Sequence, residues 1–142
     1  MSFKSEKEMS KHFKSFYKSQ IKGTKKEFIP ECEGLFGIPD YLVVEKEKDQ
    51  LKNVVAYELK LKNWKRALIQ AFKYKSFANQ AVVVIDNHYV GRAIKNIDEF
   101  KRTKIGLASF DHEKNFSVHY MPEQDSPFSS SYSKVILKKL KK

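Results

Sequence analysis

The segment Val54-Val55-Ala56-Tyr57-Glu58-Leu59-Lys60-Leu61 sets the tightest limit on how this chain can fold. It is apolar enough to be a buried strand, yet it carries a carboxylate and an ammonium two residues apart. Side chains on a strand alternate between faces. Val54, Ala56, Glu58 and Lys60 therefore share one face, and Val55, Tyr57, Leu59 and Leu61 the other. Charges set into a buried strand are costly unless they pair, bind a metal or face a cleft. Upstream, residues 37–44 (Gly-Ile-Pro-Asp-Tyr-Leu-Val-Val) read as a neighbouring strand that carries Asp40. Its carboxylate and that of Glu58 would form the two halves of a hard-cation site.

A length of 142 residues fits one domain with a single core. The chain holds 28 Lys and Arg against 17 Asp and Glu, a formal charge of +11 that favours polyanionic partners. Cys32 is the only cysteine, so no intrachain disulfide or cysteine zinc site is possible, and a reducing, cytoplasmic setting is expected. No run reaches the roughly 18 apolar residues of a membrane span, so no membrane partner is expected.

The pattern predicts a helix over 5–22, with Met9, Phe13, Phe16 and Gln20 on one face. Lys4, Lys7, Lys11, Lys14 and Lys18 line the other face as a solvated back. Strands follow over 25–31 and 37–44, and a polar turn over 46–53 leads into the Glu58 strand. Asn63 is a good cap for a helix over 64–79. Residues 81–85 (Ala-Val-Val-Val-Ile) mark a strand covered on both sides. A helix over 88–102 and strands over 105–110 and 116–121 come next. Residues 122–133 read as irregular, and 134–142 as a short basic helix or tail. A mixed sheet with helices on both faces is the expected α/β architecture.

Pro39-Asp40, then Glu58-Leu59-Lys60 one strand later, then Gln70 and Tyr74 on the next helix, together resemble the PD-(D/E)XK nuclease superfamily with its QxxxY helix element. A second Glu-x-Lys at Glu99-Phe100-Lys101 lies in a helical pattern with no Pro-Asp strand before it. The resemblance implies a restriction-endonuclease-like αβββαβ core over about 5–86, a sheet extension over about 88–121 and a basic tail over 122–142. It also implies an acidic residue on the first helix, for which Glu6 is the choice and Glu8 the rival.

On the same basis, Asp40, Glu58 and the Leu59 carbonyl would hold Mg²⁺, with Mn²⁺ able to substitute. Lys60 would stabilise charge building on a scissile phosphate. Gln70 would orient the metal ligands, and Tyr74 would pack against substrate or hold Lys60. The implied activity is a deoxyribonuclease of structure-selective or weakly sequence-selective kind, in repair, recombination or defence, with RNA still open as a substrate. A homodimer would bring two such sites together. The alternative is a catalytically inactive nucleic-acid-binding module of the same fold.

Lys62, Lys65, Arg66 and Lys73 are the expected phosphate contacts. Lys62, Lys65 and Arg66 stand at a helix start against the dipole preference, which favours a ligand-facing role. His12, His88, His112 and His119 show no metal-ligand spacing and are expected to be surface or core-edge residues, and Cys32 reads as a quiet thiol. Lys75 falls in the middle of the apolar arc of its helix without an explanation beyond a snorkelling stem.

Overall fold

In a computed structural model, which describes residues 2–140, the chain forms a six-stranded mixed sheet with helices on both faces. Chain order is α1 (Glu6–Ile21), β1 (Lys26–Pro30), β2 (Tyr41–Glu47), β3 (Gln50–Lys60), α2 (Trp64–Tyr74), β4 (Gln80–Asp86), α3 (Gly91–Lys95), α4 (Ile97–Thr103), β5 (Gly106–Phe110), β6 (Phe116–Tyr120) and α5 (Ser133–Leu140). A 3-10 turn, Ser130–Tyr132, precedes α5. The sheet runs β1-β2-β3-β4-β5-β6, antiparallel through β3, parallel from β3 to β5, and antiparallel again at β6.

The parallel centre explains the uninterrupted apolar run. Every residue from Ala81 to Asp86 is buried, because helices cover β4 on both sides. Met9 and Phe13 of α1 pack over Tyr41, Val43, Tyr57, Leu59, Val84 and Phe110. Ala67, Ala71 and Tyr74 of α2, with Phe100 and Ile136, pack over Val54, Ala56, Val83 and Ile85 on the opposite face. The alternation expected for β3 is thus the alternation observed. Ser5 caps α1 by accepting from the Glu8 N–H, and Asn63 caps α2 by accepting from the Arg66 N–H.

Several boundaries depart from the sequence pattern. Asp40 lies one residue before β2 rather than inside a strand. The polar stretch 46–53 is mostly strand, with only Lys48 and Asp49 in the turn. Its charges mark a solvent-facing hairpin end, where Lys52 pairs with Glu45 at 3.6 Å. The helix expected over 64–79 stops at Tyr74, and this resolves the position of Lys75. That residue is the C-cap, and its ammonium donates to the Thr103 carbonyl at 3.1 Å while lying over the Phe72 and Phe128 rings.

The helix expected over 88–102 is two helices broken at Asn96, whose φ is −110° and whose amide donates to the Arg92 carbonyl. The basic tail begins as α5; its last two residues, 141 and 142, lie outside the described residues. No helix among the described residues is long and apolar enough to cross a membrane.

Candidate functional site

Asp40, Glu58, Lys60 and Tyr74, with Glu6 beside Lys60, come together at the C-terminal end of β3. Glu58 is buried, 4% exposed, on the face shared with α2. Tyr74, buried one helix away, directs its hydroxyl to Glu58 Oε1 at 2.6 Å and to the Ile38 carbonyl at 3.1 Å. Asp40 Oδ2 accepts the Leu59 N–H at 2.7 Å.

That last bond reports a deliberate interruption of the sheet. The β2–β3 register pairs Tyr41 with Tyr57. Continued by two residues, it sets Pro39 opposite Leu59. In an antiparallel ladder these two positions would exchange both main-chain hydrogen bonds. Pro39 has no N–H to give, so the Leu59 carbonyl on that side loses its ladder donor. The Leu59 N–H takes the Asp40 side chain in place of a carbonyl. The Pro-Asp pair therefore leaves a main-chain carbonyl, an Asp carboxylate and the adjoining Glu58 at one strand end.

The electrostatics are those of a crowded anionic site. Burial, with the Asp40 charge second, pushes the Glu58 carboxyl up to about 7, while the Tyr74 hydroxyl and Lys60 act in the other direction. Burial also raises the Asp40 carboxyl, against the lowering effects of the Leu59 N–H and Lys60. Burial and the Glu58 carboxylate raise Tyr74. Lys60 is the cation felt by both carboxylates, and its ammonium lies 3.8 Å from Glu6 Oε1. Glu6 and Glu31 add further negative charge at Asp40. Glu31 follows β1, and its N–H donates to the Asp40 carbonyl. Sequence reading passed over it, although the hairpin register beside Pro-Asp could have marked it.

Gln70 lies one turn before Tyr74 on α2. Its amide oxygen is buried without a hydrogen-bond partner among the described residues. An unpaired buried acceptor costs about 1–3 kcal/mol, and Asn53 Oδ1 in the β2–β3 hairpin shares this state. Tyr74 differs from expectation in its partner: it holds Glu58, not Lys60, and at 2% exposure its ring is unavailable to stack on a ligand. Its packing depends on Gly37, where φ is +86° and an added Cβ would stand 2.9 Å from the Tyr74 ring.

The donor set suits a hard divalent cation. It combines two carboxylates and a main-chain carbonyl freed by Pro39, in a site where Asp40, Glu58, Glu6 and Glu31 outnumber Lys60.

The expected phosphate contacts do not all share one surface. Lys62 and Lys65 line a cleft of about 760 Å³ that begins two residues past Lys60, together with Trp64, Tyr89, Arg92 and Lys95. The Lys62 ammonium lies 5.5 Å from the Tyr89 ring centre. Lys73 lies instead over Phe36 in a second groove along α2, which Lys65 borders from the other side. Arg66 is exposed and lines neither. Arg92 and Lys95 were absent from the sequence expectation; tertiary folding sets them across the cleft from the start of α2.

Two of the four histidines depart from expectation. Glu8, His12 and His112 bring their ligand atoms within 4.8 Å of one another. No protein-family model matches the chain, and no curated protein or solved structure shows significant similarity to it.

Proposed function

We propose that this chain is a metal-dependent nuclease of the PD-(D/E)XK kind, with a restriction-endonuclease-like core, hydrolysing phosphodiester bonds of DNA. The observation that carries the reading is the interrupted ladder at Pro39 and Leu59, with Asp40 and Glu58 beside the freed carbonyl. The order of α1, the β1-β2-β3 meander, α2 and parallel β4 is compatible with that core. In this reading Asp40, Glu58 and the Leu59 carbonyl hold Mg²⁺, or Mn²⁺ in its place. A bound ion of this kind supplies Lewis-acid polarisation of a phosphate and a more acidic water.

The chain's own residues prepare that chemistry. Without a cation, the carboxylates around Asp40 would repel a phosphate, so substrate and metal are taken up together. The Tyr74 hydroxyl fixes the Glu58 carboxylate, and the Gln70 oxygen can accept from a hydrating water. Glu6 steadies the Lys60 ammonium, which is free to stabilise negative charge developing on the phosphate. The cleft of Lys62, Lys65, Arg92 and Lys95 leads the nucleic-acid backbone away from the site.

The test is incubation of the purified protein with labelled linear, circular and branched DNA, and with RNA, in Mg²⁺, Mn²⁺ or chelator. Metal-dependent cleavage that is lost in Asp40→Asn is expected. Binding without cleavage on every substrate would replace this reading with a non-catalytic nucleic-acid-binding module.

A further inference from the structure

We propose a second metal site, separate from Asp40 and Glu58, in which Glu8, His12 and His112 take a borderline transition ion of the Zn²⁺ class. Glu8 and His12 stand one turn apart on the same face of α1, the spacing at which a helix offers two ligands to one ion. His112 comes from the β5–β6 turn, a hundred residues further along the chain. Two imidazoles and one carboxylate form a donor set that favours zinc over magnesium. The edge between Glu8 Oε1 and His112 Nε2 is 3.5 Å. Around a tetrahedral ion with bonds of 2.0–2.1 Å, neighbouring ligand atoms lie about 3.3 Å apart, so this edge is already at a fitting length. The remaining edges, all within 4.8 Å, close by side-chain rotation.

The cluster is packed into the fold rather than left on a free surface. The Phe3 ring stacks on His112 with centroids 4.2 Å apart, and its centroid lies 5.6 Å from that of His12. Phe3 is itself buried, and its N–H donates to the fully buried Asp86 at 2.8 Å. The turn carrying His112 is held by Asp111, whose carboxylate accepts from the Glu113 and Asn115 main chains. The Ser2 carbonyl lies 2.8 Å from His112 Nε2. A bound ion would take that nitrogen in place of the Ser2 contact, with the neutral ring carrying its proton on Nδ1 instead. His112 and Glu8 keep 30% and 27% of their side chains exposed, and His112 borders a cleft of about 430 Å³, so an ion has a route in.

A plain His112–Glu8 ion pair would account for two of these residues but gives no reason for the second imidazole. A bound ion would tie the start of α1 to the β5–β6 turn. The site stands whether or not the chain cleaves DNA.

The test uses the full chain stripped with chelator, then titrated with Zn²⁺ by calorimetry and with Co²⁺ by visible absorption. One saturable Zn²⁺ site is expected, with thermal stabilisation that saturates alongside it. Loss of a ligand in His12→Gln or His112→Gln should weaken that binding by about 100-fold or more, beyond the cost of losing an outer-shell partner. Asp40→Asn should leave it unchanged, and both histidine variants should retain whatever Mg²⁺-dependent cleavage the wild type has. Circular dichroism checks that each variant is folded, and His12→Gln decides the matter should His112→Gln lose the fold. The proposal is overturned by the absence of a saturable site, by a site that survives in the double histidine variant, or by one lost only in Asp40→Asn.

Discussion

The Tyr74 hydroxyl meets the Glu58 carboxylate at 2.6 Å, joining the last residue of α2 to the third-last residue of β3. This bond lowers the affinity of Glu58 for a proton, against a larger upward push from burial and Asp40. Tyr74→Phe should therefore move the acidic limb of the pH–rate profile upward, above about 7, while costing about 1–2 kcal/mol in stability. Cleavage rates measured across pH at Mg²⁺ well below saturation, where the acidic limb reports the metal-free carboxyl, with thermal melts beside them, check both parts.

Metal-free stability should depend on pH through the same group. Glu58 is raised from its ordinary 4.5 to about 7 in the fold, so it holds its proton more readily folded than unfolded. Its contribution favours the fold fully below about pH 4.5 and is lost as pH climbs through about 7; Asp40 acts in the same direction. The loss is at most about 3 kcal/mol at about 1.4 kcal/mol per unit. Melting in chelator from pH 5 to pH 8 should show wild type declining relative to Glu58→Gln. Parallel curves would count against the buried acid.

Pro39→Ala restores an N–H opposite Leu59. That donor would compete for the freed carbonyl, so the Mg²⁺ concentration for half-maximal cleavage should rise several-fold with little change in DNA affinity. A metal titration at fixed substrate measures it, and an unchanged midpoint would remove the Leu59 carbonyl from the ligand set.

Lys60→Ala should reduce turnover by about 100-fold or more, as for loss of one preorganised group at the developing charge, with DNA affinity close to wild type. Equal losses in both would assign Lys60 to binding instead. Glu6→Gln should show a milder version of the same split, because Glu6 acts on the reaction through the Lys60 ammonium.

Lys62→Ala combined with Arg92→Ala removes two cations from one cleft. Each phosphate contact contributes about 0.9 to the slope of log affinity against log salt, so the double variant should flatten that slope by about 1.8. Fluorescence anisotropy with labelled DNA across a salt series reads this directly. Arg66→Ala, outside the cleft, should leave the slope unchanged.

The site was legible wherever periodicity alone fixes the face of a side chain. Strand alternation put Glu58 and Lys60 on one face of β3, and helical spacing put Gln70 and Tyr74 at one border of the apolar arc of α2; the bond from Tyr74 to Glu58 was not foreseen. What periodicity does not carry is where an element stops. Lys75 looked misplaced only while the helix was extended past Tyr74. The charged run at 46–53 was read as a turn because a solvent-facing strand end and a loop have the same polarity. Asn96, with Asp98 and Glu99 behind it, carried a helix-start signal inside an apolar pattern that continued through it. The Glu8–His12–His112 cluster was out of reach for a different reason. Its helical half was visible at four-residue spacing, but the third member is supplied by tertiary folding from the far end of the chain.

The parallel strands β3, β4 and β5 end on the same rim, and that rim carries Glu58 and Lys60, Asp86, and the turn bearing His112. The Lys48–Asp49 hairpin lies at the other end of β3, eleven residues and roughly 33 Å away. A dye, an affinity handle or a whole fused domain can be grafted at that hairpin and will hang clear of the chemistry. The molecule thus offers an attachment point for testing the proposed DNA binding one molecule at a time, clear of the residues proposed to carry it out.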